Sequence, residues 1–209
     1  MKNLYLLTIL VFVSLISTSV QATLPKMSPA SVKPTPNTAL AKTNSAMTSE
    51  VQKGTVEFFV LGKPSMLKIH GESSALSGNL SRIGDELTGE LVMPLNSFAT
   101  GMTTRDKHLK DKVFETSKFE NAVLSITSLK VPAGNGEFKN LEFSGKLKLH
   151  GVEKEIKGTS QVTVGPQTTG FTAHLDIKLT DFQITPPEFL GMSIQDDVKI
   201  DAKGEAKAQ

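Results

Sequence analysis

Between Val51 and Ala206 apolar residues return at every second position in run after run, with polar or charged residues between them. Such a period of two marks strands that bury one face and wet the other. Val56, Phe58 and Val60 share a face of a first strand, and Leu67 and Ile69 a face of a second. Leu76, Gly78 and Leu80 then make a third, and Leu87, Gly89, Leu91 and Met93 a fourth. Leu124 with Ile126, Phe143 with Leu147 and Leu149, and Ile156 with Val162 and Val164 continue the series. Phe171, Ala173, Leu175, Ile177 and Leu179 form the cleanest strand, and Val198, Ile200 and Ala202 close the pattern. Turn residues separate these runs at Gly84-Asp85, Pro132 to Gly136, His150-Gly151 and Gly165-Pro166. Short strands joined by short turns form an antiparallel meander, and about eight of them avoid exposed edges by closing. The pattern therefore predicts an all-β, up-and-down antiparallel β-barrel over residues 50–209.

One segment interrupts the alternation. Thr103 and Asp106 stand at the spacing of a helix N-cap and its answering acid, and Met102, Arg105, Leu109 and Val113 follow at helical spacing. A single short helix is expected near the barrel mouth, with Arg105 on its apolar stripe. An arginine placed there needs a partner, either backbone carbonyls at the sheet rim or a carboxylate. Phe114 and Phe119 come next, and Ala122, Leu124 and Ile126 resume the period of two.

Thr100, Gly101, Arg105, Asp106, His108, Leu109, Phe114, Lys118, Phe119, Ala122, Leu124 and Ile126 together resemble the central signature of the YceI-like family of polyisoprenoid-binding, lipocalin-like proteins. Glu120 stands where many members carry proline. Gly62-Lys63-Pro64 with Ile69, the stretch from Leu147 to Ile156, and the pairs Asp181-Phe182 and Asp197-Val198 extend the resemblance from about Val51 to about Ala206. It implies a lipocalin-like barrel that holds a long isoprenoid chain, such as a polyprenyl quinone tail, lengthwise in its lumen. On that reading the lining and mouth comprise Phe58, Leu67, Leu91, Met93, Arg105, His108, Leu109, Phe114, Leu124, Leu147, Leu175 and Ile177.

The alternation alone favours a solid core over a hollow tube. Two features favour the tube. Gly78, Gly89 and Gly145 share the parity of inward apolar residues and leave positions without a side chain, although glycines also mark barrel bends. Phenylalanine is the sole bulky filler, because the chain has no Trp and its one Tyr is Tyr5. Burial contributes about 0.8 kcal/mol per methylene, so about ten enclosed carbons offer roughly 8 kcal/mol before ordering costs, enough for micromolar binding. Arg105 and His108 are then either donors to a head group or anchors of the helix.

Lys2, the apolar run from Leu4 to Ile16, and the small residues ending at Ala22 follow the grammar of a secretory signal. The run is shorter than the roughly 20 residues needed to span a bilayer, so cleavage after Ala22 and a periplasmic or secreted product without stable membrane insertion are expected. Residues 23–49, rich in Pro, Ala, Ser and Thr, read as a disordered linker. Four of the 23 basic residues fall in the first 49 positions, leaving 19 against 21 acids in the domain, so the formal charge of +2 disguises a slightly acidic barrel. No basic stripe with interleaved aromatics marks a nucleic-acid surface.

Cysteine is absent, which excludes disulfides, lipid attachment through cysteine, thiolate zinc sites and cysteine nucleophiles. His70, His108, His150 and His174 are scattered without metal-ligand spacing, and neither a nucleophile elbow nor a phosphate-cradling glycine loop occurs. The pair Asp196-Asp197 begins a strand, where its side chains should diverge. The expectation is a binding protein with no catalytic residues, no metal and no cofactor. The alternatives are a solid-core envelope module that contacts a protein partner through residues 185–193, and, less favoured, a lipid-modifying enzyme. In that loop Phe189, Leu190 and Met192 are apolar where a connection should be polar. They suit a partner surface, a lid over the barrel, or packing against the helix. A homodimer joined through an open sheet edge is compatible with the same pattern.

Overall fold

The computed structural model describes residues 46–63, 67–189 and 192–209. The expected signal segment, and the expected linker up to residue 45, lie outside the described residues. Met47, Thr48 and Ser49, grouped with the linker for their polar company, pair with Arg82, Ser81 and Leu80 and so belong to the first strand.

The strands are β1 (Met47–Lys63), β2 (Lys68–Ile83), β3 (Glu86–Pro94), β4 (Asn121–Lys130), β5 (Gly136–Leu149), β6 (Val152–Val164), β7 (Thr168–Lys178), β8 (Glu188–Phe189) and β9 (Met192–Ala208). Each of β1 to β6 pairs antiparallel with the next, β7 pairs with β9, and β9 returns to β1. The result is a closed eight-stranded, lipocalin-like barrel, with β8 as a two-residue appendage to β9. The β1–β9 seam runs from Ser49 opposite Ala208 to Lys63 opposite Ser193. Closure removes the open edge through which the sequence allowed two copies to pair.

The strands are longer than the alternation implied. Leu67–Ile69 and Leu76–Leu80 read as two strands because the buried parity switches between Ser73 and Leu76. They form one strand, β2, and the switch is a β-bulge: Ser73 faces Val56 and Leu76 faces Gly54, so three steps on β2 match two on β1. A matching irregularity on β1, between Val51 and Gly54, turns Val51 and Val56 to the same interior. At the other end of the series Leu179 leaves the expected strand for a 3-10 turn, Leu179–Phe182. Asp196 causes this by accepting the Thr180 amide at 2.8 Å and the Thr180 hydroxyl at 2.7 Å. Those bonds, the hydroxyl foremost, hold the Asp196 carboxyl below the usual carboxylate range. Its neighbour Asp197 turns to Lys178, at 3.0 Å. The two carboxylates thus serve separate structural contacts.

The β5–β6 connection is a two-residue hairpin. His150 and Gly151 both have positive φ, 52° and 78°, between the paired Leu149 and Val152. That is the type I′ geometry whose twist matches antiparallel strands.

The inward glycines do not leave voids. A Cβ at Gly78 would lie 2.1 Å from the Glu90 carbonyl oxygen, and one at Gly89 2.3 Å from that of Asn79. At Gly145 the Ser125 carbonyl oxygen occupies the same space, 2.6 Å away. These glycines admit the neighbouring backbone, so they do not leave the empty space that the cavity reading expected. A different set faces phenylalanine: Phe58 is paired across the sheet with Gly71, Phe143 with Gly158, and Phe171 with Gly204. In each pair the ring lies over the glycine, with ring carbons 2.3 to 2.8 Å from where its Cβ would be.

Between β3 and β4 the chain forms a 3-10 turn, Leu95–Ser97, then α1 (Thr103–His108), which widens into a π turn, Leu109–Val113. The expected regular helix is therefore mixed. The Phe114 amide donates to the Leu109 carbonyl at 2.8 Å, five residues back, and the wider turn buries Val113 and Phe114 together. Nor is Thr103 the cap: it is the first helical residue, and Asp106 answers Thr100 instead. The Thr100 amide donates to the Asp106 carboxylate at 2.7 Å, as does its hydroxyl. Arg105 donates through Nε to the same hydroxyl at 2.8 Å and through a terminal nitrogen to the Thr100 carbonyl at 2.6 Å. The arginine's partner is thus a rim threonine, through its carbonyl and hydroxyl. Glu120 causes no break, since its carbonyl accepts the Leu95 amide at 2.8 Å.

Two outcomes are expected. Gly89→Ala should lower the stability of the barrel by about 2–3 kcal/mol in urea unfolding, because its Cβ meets backbone. Gly170→Ala, also within a strand but with only Thr163 Cβ at 4.0 Å, should stay within about 0.5 kcal/mol of the parent. The second concerns Thr100. Its hydroxyl is the main reason that the Asp106 carboxyl lies below the usual range; desolvation opposes it, while the Thr100 amide, Lys110 and Arg105 assist. Since the folded value is the lower one, this contact is fully stabilising above about pH 4 and is lost as pH falls through the folded value. Thr100→Val should raise the Asp106 titration toward its ordinary position by NMR and cost about 1–2 kcal/mol at neutral pH. An unmoved titration would show that the hydroxyl is not the controlling partner.

Candidate functional site

At the end of the barrel carrying α1, the inward faces of the strands do not fill the lumen. They surround a cavity of about 200 Å³, on a scale where one water needs about 10–15 Å³. Among the described residues, all that line it are apolar except Thr100, Arg105 and His108. All three polar residues sit on α1 or just before it, so polarity is confined to one side of the mouth. His108 is exposed yet lines the cavity, which therefore meets solvent beside it.

The walls follow from register. Leu91 faces Leu124 across β3 and β4, and Leu124 faces Leu147 across β4 and β5. On the far side Leu175 faces Ile200 and Ile177 faces Val198. These residues share the inward parity of their strands, and they form a belt of aliphatic side chains. The roof is aromatic. Phe58 from β1, Phe98 from the β3–α1 connection and Phe114 from the π turn approach one another at ring-centroid distances of 5.5, 6.5 and 5.8 Å, in tilted or edge-on arrangements. This cluster packs the helical segment onto the rim while its inner surface stays apolar.

Of the twelve residues the sequence placed at the lining or mouth, eleven line this cavity: Phe58, Leu91, Met93, Arg105, His108, Leu109, Phe114, Leu124, Leu147, Leu175 and Ile177. Leu67 does not. It precedes β2, accepts the Gly62 amide at 2.8 Å through its carbonyl, and lays its side chain over Gly62. Its shared parity with Ile69 was misleading, because the strand proper starts one residue later. The sequence pattern did not assign Leu95, Phe98 and Thr100 to the lining, because they lie between β3 and α1, where no period of two applies. Leu95 and Phe98, three apart around the 3-10 turn and both buried, carried the only available signal. Pro187 and Ile194 also line the mouth, from either side of the β8–β9 hairpin. The side chains of Phe189, Leu190 and Met192, expected to lie nearby, are outside the described residues.

The other histidines lie apart from the cavity. His70 stacks on Phe59 at 4.7 Å and meets Glu57 at 3.1 Å. It lies within β2. His150 packs on Phe119 at 4.4 Å, within 3.4 Å of Glu115, and His174 contacts Asp201 on the outer face of β7 and β9.

Comparison with known proteins agrees with this architecture. A family model described as the YceI-like domain matches residues 40–206. A UPF0312 protein of Yersinia enterocolitica is 36% identical over 97 residues, which cover 46% of this chain and 50% of that protein. A UPF0312 protein of Yersinia pestis is 35% identical with the same coverage, so the chain spans about half the length of these curated relatives. Among solved structures, a polyisoprenoid binding domain from Saccharophagus degradans superposes with a TM-score of 0.61 at 21% identity, over 78% of this chain and 98% of that one. Burkholderia cenocepacia BcnA gives 0.61 at 18% identity, over 74% and 96%. The Campylobacter jejuni YCEI protein gives 0.56 at 22% identity, over 69% and 87%. With the model spanning most of the sequence and the barrel superposing on solved examples, the chain belongs to the YceI-like family.

Proposed function

We propose that this protein is exported and holds a polyisoprenoid or similar long-chain amphiphile inside its barrel, for transport, storage or protection, without acting on it chemically. The observation that carries the reading is the cavity: a lumen lined by aliphatic and phenyl groups, with its three polar residues gathered at the mouth. A hydrocarbon chain can enter such a space without leaving a buried donor or acceptor unpaired. Its affinity then comes from burial, at about 0.8 kcal/mol per methylene. The polyisoprenoid binding domain among the structural neighbours points to the same ligand class. The N-terminal pattern of Lys2, the apolar run and Ala22 supports export, and with it a periplasmic or secreted location. The dispersed histidines and the structurally engaged Asp196 and Asp197 support holding over chemistry.

Organic extraction and mass spectrometry of protein purified from its native envelope should recover an apolar chain, and the emptied protein should take up a polyprenyl quinone saturably. Recovery of nothing, with no uptake, would favour a solid-core interaction module, and turnover of the supplied lipid would favour an enzyme. Leu147→Asp places a carboxylate in the wall and should weaken uptake by at least about 100-fold, which a burial penalty of a few kcal/mol implies. Unchanged uptake in a folded Leu147→Asp protein would show that the chain lodges elsewhere.

A further inference from the structure

Below the mouth cavity lies a second, smaller one of about 40 Å³, also enclosed by the barrel. Its walls include Leu80, Leu87, Leu129, Phe143, Val162 and Phe171. Four residues face both spaces: Leu91, Leu124, Leu175 and Ala202. They come from four strands, β3, β4, β7 and β9, on opposite sides of the lumen. Leu91 and Leu124 are a direct cross-strand pair. Leu175 and Ala202 lie on adjacent strands, two register positions apart on the same face, since Leu175 faces Ile200 and Ala173 faces Ala202. Leucines thus reach in from both walls at one level and pinch the lumen into an upper and a lower chamber. The lower one continues from Leu124 to Leu129 along β4, five residues, or about 17 Å of strand and about 13 Å of barrel axis at the usual tilt.

We infer that this constriction is a length gauge: Leu91, Leu124 and Leu175 set how much of a hydrocarbon chain the barrel accepts, and the lower chamber is the reserve they deny it. The inference rests on the proposed lipid-holding role and adds the residues that decide which lipid. The physical reason is that affinity grows with each methylene removed from water, so the level at which the tube narrows is the level at which longer chains stop gaining. Side chains at a constriction control that level more directly than those of the wall. A chain too long for the upper chamber leaves its surplus at the mouth, beside Arg105 and His108, in contact with solvent.

The test uses the full chain and a series of polyprenyl quinones with one head group and graded numbers of isoprene units, measured by equilibrium dialysis. In the parent protein affinity should climb with length and then level off. Leu124→Ala should move that plateau to longer chains and raise affinity for them by about tenfold, the value of fewer than two further buried methylenes. Ala173→Leu, which fills the lower chamber alone, should leave the parent's profile unchanged and cancel the gain of Leu124→Ala in the double variant. Leu124→Val, a smaller truncation, keeps the test intact if the alanine variant fails to fold, and should give a lesser shift in the same direction. A plateau that stays put in folded Leu124 variants, or an Ala173→Leu parent that loses long-chain affinity, would overturn the gauge while leaving the lipid reading in place. Absence of saturable uptake by the parent at any length would overturn both.

Discussion

The β1–β9 seam is the constraint on which the remaining features depend. An eight-stranded sheet left open would present two rows of unpaired amides and carbonyls, and its inner face would need covering from outside. Pairing Ser49 through Lys63 with Ala208 through Ser193 lets the sheet cover itself. One face of every strand must then be apolar, since the lumen offers little to bond with. Two bulges, one on β1 and one on β2, preserve that rule through strands too long to keep a single parity. Among the described residues Ser73 and Ser160 are the buried polar exceptions, and each has a partner: Ser73 bonds Ser97 at 2.6 Å, and Ser160 reaches the Leu141 carbonyl at 3.4 Å.

Much of this was legible in the sequence, for identifiable reasons. Period-two patterning reports which face is wet, so strands such as β3 and β7, and wall residues such as Leu91, Leu147 and Leu175, could be read directly. Where the pattern broke, the reading failed in characteristic ways. A bulge changes parity without ending a strand, so β2 was divided at Ser73. Leu67 kept the right parity but stood outside the strand that gives parity meaning. The inward glycines were ambiguous because a missing side chain can mean empty space or a close neighbour, and only the position of the Glu90, Asn79 and Ser125 carbonyls decides. Leu95 and Phe98 fall in irregular chain, where packing alone determines which way a side chain turns.

The mouth depends on a single threonine. Thr100 receives Arg105 on its carbonyl and hydroxyl and gives its amide and hydroxyl to Asp106. Opposite charges are thereby joined through a neutral residue at the start of the helical segment. The sequence presented Arg105 as either head-group donor or anchor, and the geometry engages it as an anchor while leaving it on the lining. Of the polar lining residues, His108 is the exposed one, one turn further along the same face.

The pairing of phenylalanine with glycine carries a different implication. Phe58, Phe143 and Phe171 lie over the glycine opposite because it has no side chain to displace them. Gly71, Gly158 and Gly204 are absent from the lining of either interior chamber, yet each governs how far an aromatic ring intrudes. The calibre of the tube is therefore controlled from behind its surface. Within a lineage, drift at these three glycines alone would narrow or reshape the passage while every residue that lines it stayed the same.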